Sequence, residues 1–327
     1  MVEPSTPLIH TVLSDAPTVT SAGAVSRETP PSEAVSRETE SFDTPIAAAA
    51  AAALRVLGPN VADFPRPPRR RVVTIANQKG GVGKTTTTVN IAAALALRGS
   101  RVLVIDLDPQ GNASTGLGVD HHAGTPNIYD VLIGQKPLAD VVVPGALPNL
   151  WCAPATIDLA GAEIELVSIV ARESRLRRAI AAYTEPLDYV LIDCPPSLGL
   201  LTVNALVAAD EMFIPIQCEY YALEGLGQLL RNVELVRQHL NGDLRISAIL
   251  LTMYDARTKL AEQVATEVRT HFGDVVISSA IPRSVRISEA PGYGQSVLTY
   301  DPGSRGALAY LEAAREFAER GAETETT

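Results

Sequence analysis

The densest run of chemistry-bearing residues is Asn77-Gln-Lys-Gly-Gly-Val-Gly-Lys-Thr-Thr86. Glycines at Gly80, Gly81 and Gly83 let backbone N–H groups converge on an anion, and a helix starting at the end of the loop adds its partial positive charge. Lys84 is placed to reach the β- and γ-phosphates of a nucleotide, and the Thr85 hydroxyl to bind Mg²⁺. The common phosphate-loop pattern GxxxxGK[ST] needs glycine where Gln78 stands. The run fits KGGxGK[ST] instead, which brings in a second lysine, Lys79. Val82 and Thr86 complete the expected nucleotide-binding stretch. Asp106 and Asp108 close an apolar run in DLDPQGN. Alternate strand positions share a side, so both carboxylates can face the loop. A third acid, Asp193, follows the apolar run YVLI.

These groups need strands to deliver them and helices to receive the phosphates. RVVTIAN (71–77) is expected to be a buried strand and 85–98 the helix after the loop. Further strands are expected at 101–106, 189–194, 211–217, 246–252 and 275–281. Helices are expected at 160–183, 222–240, 258–272 and 303–320. Continuous Val/Ile/Leu strands alternating with helices imply an α/β fold: a doubly wound, mostly parallel sheet with helices on both faces. Pro195, Pro196, Ser197 and Gln217 fall at carboxyl ends of strands, where such sheets bind ligands. They read either as switch segments sensing the γ-phosphate or as structural turns.

The 327 residues carry a formal charge of −10, and 46% are hydrophobic. Half of that charge, −5, lies in residues 1–65. No apolar run approaches the ~20 residues that span a bilayer. The start of the chain lacks the pattern of a secretory signal. Cys152, Cys194 and Cys218 form no CxxC pair, which points to a reduced, cytoplasmic protein. Residues 1–68 read as a disordered extension rich in Ser, Thr, Pro and Glu, with a short Ala-rich helix at 46–57. Prolines break the chain before a boundary near Arg69. A domain then occupies 69–320, and 321–327 form a flexible acidic end.

NQKGGVGKTTTTVNIAAALA, VLVIDLDPQGNAS and YVLIDCPPSLG resemble the ParA/Soj family of deviant Walker ATPases, grouped with MinD and the nitrogenase iron protein. The resemblance spans nearly all of 71–320 and implies a P-loop NTPase that hydrolyses ATP slowly with Mg²⁺. It implies an ATP-sandwich homodimer in which Lys79 crosses to the partner's phosphates, like a finger supplied in trans. Asp108 would orient the attacking water, Asp106 support the Mg²⁺ shell, and Asp193 act as the Walker B acid. IPRSVRISEAPGYGQSV (281–297) is similar to the family's IPRNVRLSEAPSHGxxV. Pro282 would lie against adenine, while Ser284 stands where the family has asparagine. Arg257, Lys259, Arg283 and Arg286 sit where the family carries cations that hold double-stranded DNA non-specifically.

The implied function is chromosome partitioning: a DNA-bound ATP dimer released when a ParB-like partner stimulates hydrolysis, in the cytoplasm on the nucleoid and without a membrane. The alternative, a MinD-like switch positioning another cargo, calls for a basic amphipathic C-terminal helix, whereas LEAAREFAERGAETETT is acidic. Residues 24–29 and 34–39 are identical, AVSRET. The family's partner binds the palindrome GTTTCACGTGAAAC, which in one frame encodes Val-Ser-Arg-Glu-Thr. The repeat is therefore expected to reflect two such DNA sites inside the gene. Codons that destroy the palindrome would refute this.

Overall fold

In the computed structural model, residues 44–58 and 61–322 are described. The strands are β1 (Arg71–Ile75), β2 (Val102–Asp106), β3 (Val143–Pro144), β4 (Leu150–Ala153), β5 (Tyr189–Asp193), β6 (Glu211–Gln217) and β7 (Arg245–Thr252). They form one sheet in the order β3-β4-β2-β5-β1-β6-β7. All pairings are parallel except that of β3 with β4. The first six helices are α1 (Pro45–Leu57), α2 (Lys84–Leu97), α3 (Asn112–Gly116), α4 (Ile128–Ile133), α5 (Leu159–Leu166) and α6 (Arg175–Ala182). The others are α7 (Leu200–Ala208), α8 (Ala222–His239), α9 (Lys259–Phe272), α10 (Val285–Glu289), α11 (Val297–Tyr300) and α12 (Arg305–Ala322).

Both faces of the sheet are buried, which is why its strands read as unbroken apolar runs. Val72, Leu103, Ile105, Val190 and Ile192 pack with residues of α4–α9 in one core. Their neighbours Val73, Val104 and Leu191 point the other way and pack with α2 and α12. Near the amino end of β1, Arg71 is buried. Its guanidinium donates to both oxygens of Glu211, at 2.9 and 2.6 Å, and lies 4.0 Å from the centre of the Phe317 ring. Arg245 donates to Glu211 Oε1 at 2.9 Å. These hydrogen bonds outweigh burial and draw the Glu211 carboxyl down to about 2.

The expected doubly wound sheet is present, with local differences. The helix expected over 160–183 is interrupted between α5 and α6. Ala171 adopts φ 54°, Arg172 donates a guanidinium N–H to Val167 O at 2.7 Å, and the Ser168 hydroxyl donates to Glu165 O at 3.0 Å. These side chains take carbonyls that a continuing helix would use. The strand expected at 275–281 is reduced to a single isolated bridge, Ile249 with Val276. Glu316 accepts from Ser278 N at 2.9 Å and removes that donor from a ladder. β3 and β4 were not anticipated, being two and four residues long.

Residues before Arg69 are part of the folded body. α1 buries Val56, Phe64 is buried beyond it, and Arg98 donates to Arg55 O and Val56 O at 2.6 and 3.0 Å. Among the described residues, α1 is thus packed against the body that contains the sheet. At the other end, α12 extends to Ala322. The AVSRET repeat lies outside the described residues.

Candidate phosphate-binding site

β1 delivers the chain into the glycine loop, and α2 begins at Lys84. Gly81 and Gly83 take φ of +76° and +88°, a region that a side chain would strain. A Cβ built on Gly80 or Gly81 meets nothing within 4 Å, so the loop backbone faces open space. Two side chains outside the motif brace it. Asn77 donates Nδ2–H to Pro215 O at 2.8 Å and accepts Lys79 N–H at 3.1 Å. Thr252, ending β7, donates its hydroxyl to Val82 O at 2.8 Å. Neither brace was singled out from the sequence. Asn77 at least adjoins the motif, whereas Thr252 lies 170 residues from Val82 and carries no sequence signal.

Lys84 is buried, and its ammonium donates to Lys79 O at 3.2 Å. Burial lowers its pKa, opposed by the nearby Asp193 and Asp108 charges. The Lys79 ammonium instead pairs with Glu219 of its own chain. Gln78 Nε2 is buried beside the loop without a hydrogen-bond partner among the described residues.

Thr85 donates to Asp193 Oδ2 and Thr88 to Asp193 Oδ1, both at 2.8 Å. Asp193 stands opposite Asp106 in the β2–β5 register, and both are fully buried. Burial first, then the neighbouring Asp106 charge, pushes the Asp193 carboxyl up to about 8, while the threonine bonds oppose the shift. Asp106 is pushed up to about 6 by burial, against hydrogen bonds from Ser114 and Asp108. Both Asp106 oxygens are engaged: Oδ1 accepts Asp108 N at 3.1 Å, and Oδ2 accepts Ser114 N and its hydroxyl at 2.8 Å. Asp106 thus fixes the turn that carries Asp108. Asp108 accepts Gln110 N on Oδ1 at 3.0 Å; among the described residues its Oδ2 takes no hydrogen bond.

Beside the loop lies a cavity of about 160 Å³, lined in part by Gly83, Thr86, Thr252, Met253, Pro282 and Ser284. Pro282 and Ser284 therefore meet the phosphate loop across one cavity. Arg257 on the turn after β7, Lys259 at the start of α9, and Arg283 and Arg286 around α10 are all exposed. Pro195 is buried while Pro196 and Ser197 are exposed, and Thr202 donates to Ser197 O at 2.6 Å. Cys152, Cys194 and Cys218 are separately buried.

The model of a family described as "AAA domain" matches residues 70–246. The chain is 55% identical over 251 residues to the sporulation initiation inhibitor protein Soj of Bacillus subtilis, covering 77% of this chain and 99% of that one. It is 56% identical over 252 residues to the chromosome partitioning protein ParA of Caulobacter vibrioides, covering 76% and 94%. Its fold is similar to that of cobyrinic acid a,c-diamide synthase from Mycobacterium smegmatis, solved with an ATP analogue and magnesium. That similarity has TM-score 0.66 and 41% identity, covering 77% of this chain and 93% of that one. Sequence and site converge on one assignment: the chain belongs to the ParA/Soj family of the ParA/MinD superfamily, with the P-loop NTPase fold.

Proposed function

We propose that this chain is a chromosome-partitioning ATPase whose ATP-bound homodimer binds DNA non-specifically and is released when a ParB-like partner stimulates hydrolysis. The observation that carries the reading is the joint placement of an open glycine cradle, buried Lys84 and the Thr85–Asp193 pair. The loop amides of 80–86 and Lys84 would hold the ATP phosphates. Thr85 and Asp193 are oxygen donors of the type that Mg²⁺ accepts. When bound, the ion would neutralise charge on the phosphates. Asp108 has an oxygen unengaged among the described residues and would orient the attacking water. Asp106 would hold Asp108 in place and supply negative charge behind the metal site. Pro282 would pack against the base, with the Ser284 hydroxyl replacing a longer amide.

The dimer reading is supported by apolar side chains left exposed on two segments. Ile164, Val167 and Val170 are exposed on and after α5. Tyr220 and Tyr221 are exposed beside Glu219, the partner of Lys79. A second copy covering these groups would draw Lys79 away from Glu219 and toward the opposite nucleotide. Arg257, Lys259, Arg283 and Arg286 would hold DNA phosphates. Among the described residues no helix is long and apolar enough to cross a membrane.

The test is equilibrium binding of the full chain to a non-specific duplex with a non-hydrolysable ATP analogue, ADP or no nucleotide, alongside sedimentation. Binding that requires the ATP analogue, coincides with dimer formation and weakens with salt is expected. Equal binding in all three states, or none despite a dimer, would refute the reading.

A further inference from the structure

The four cations of the proposed DNA surface come from two segments joined by backbone pairing. Tyr254 N donates to Ile281 O at 2.9 Å and Arg283 N to Tyr254 O at 3.2 Å. This pairing sets the turn bearing Arg257 beside the segment bearing Arg283 and Arg286. Two of the arginines are already occupied. Arg257 donates from Nε and a terminal nitrogen to the two oxygens of Asp255, at 2.8 and 2.7 Å. Arg286 donates to Glu289 Oε2 at 3.1 Å, and its Nε lies 3.4 Å from Asp301 Oδ2. Tyr300 donates to the same Glu289 oxygen at 3.3 Å and steadies it.

These pairs are not enforced by burial, since the Arg257 and Arg286 side chains are 89% and 57% exposed. Hydrogen bonds from Arg257 draw the Asp255 carboxyl down to about 2. The guanidinium fork that grips a carboxylate through two N–H groups is the same fork that grips a phosphate. One pair of N–H groups cannot fully serve both.

We propose that Asp255, Glu289 and Asp301 are intramolecular competitors of DNA phosphate, holding Arg257 and Arg286 pre-oriented but neutralised until several phosphates displace the carboxylates together. This rests on the DNA-binding reading above and adds its regulation. Exchanging one exposed ion pair for another gains little. Exchanging many at once on a dimer, where later contacts are intramolecular, gains much. The carboxylates thereby suppress binding by a lone chain and sharpen its dependence on ATP.

The test uses the full chain, a non-specific duplex and a non-hydrolysable ATP analogue. Asp255→Asn, and separately Glu289→Gln with Asp301→Asn, should each tighten DNA binding about two- to fivefold. Both should also raise binding by the nucleotide-free chain. Glu262→Gln, on the first turn of α9, removes an equal charge nearby from a residue that pairs with no arginine among the described residues, and should change affinity little. Unchanged affinity for the ATP analogue verifies folding of each variant. Equal tightening by Glu262→Gln would overturn the proposal, because the general field would then suffice. Weakened or unchanged binding by Asp255→Asn, with DNA binding lost in Arg257→Gln and Arg286→Gln, would overturn the proposal and leave the DNA surface standing. Normal DNA binding by those arginine variants would overturn both.

Discussion

The Thr85 hydroxyl donates to Asp193 Oδ2 across 2.8 Å, joining the first turn of α2 to the end of β5. Thr85→Val removes both this bond and an oxygen donor for the metal. The Mg²⁺ concentration needed for half-maximal nucleotide binding should rise about 10- to 100-fold, with a similar or larger fall in phosphate release. A magnesium titration of fluorescent nucleotide binding checks it. Thr88→Val should differ in kind. It strips the donor from Asp193 Oδ1 and should cost about 1–3 kcal/mol of stability, read from denaturant unfolding.

Lys79 is tied to Glu219 within one chain but acts in trans in the proposed mechanism. Lys79→Ala should therefore keep nucleotide binding by the single chain. Its partner-stimulated turnover should fall by about 10³-fold or more, the scale of a lost charge-neutralising finger. Nucleotide titration and steady-state turnover on the same preparation separate the two effects. Normal turnover would remove Lys79 from the mechanism.

Two buried acids give the nucleotide-free chain opposite responses to pH. Glu211 is depressed to about 2, below the ordinary glutamate value of about 4.3. Its contribution is present above that ordinary value and is lost as pH falls toward 2. Asp193 is raised to about 8, so its contribution is present below the ordinary aspartate value and is lost as pH rises through 8. Unfolding curves from pH 3 to 9, in the absence of nucleotide and Mg²⁺, should show both declines. Asp193→Asn should flatten the alkaline one.

Glu211→Gln should flatten the acid decline at a severe cost. Arg71 would stay buried with its charge uncompensated, a loss of about 3–5 kcal/mol. A fall of less than about 1 kcal/mol on denaturant unfolding would show that the Phe317 ring and carbonyl hold Arg71 without its acid.

The segment before Arg69 should behave as part of the fold. A chain beginning at Arg69 loses the burial of Val56 and Phe64 and leaves Arg98 without its two carbonyl acceptors. Its unfolding free energy should fall by about 2–4 kcal/mol, read from thermal melts of the full and shortened chains. Equal stability would show that α1 is a passive passenger.

Much of this protein was legible in one dimension because the information is local. β1, the glycine loop and α2 are consecutive, so KGGVGKTT carries its own structural context. Apolar runs at 102–106, 189–193 and 211–217 mark strands buried on both faces, and that requirement alone forces a doubly wound sheet. The sequence therefore determined the fold class, the phosphate loop and the acids at strand ends. Long-range geometry decided the rest. The fate of 275–281 depends on Glu316 reaching Ser278, 38 residues away. The place of α1 depends on Arg98, 42 residues beyond Val56. Only the assembled sheet sets Asp106 opposite Asp193 and brings Thr252 to Val82. Hydrogen bonds act over about 3 Å in space and are indifferent to separation along the chain, so residue pattern could name these groups but could not pair them.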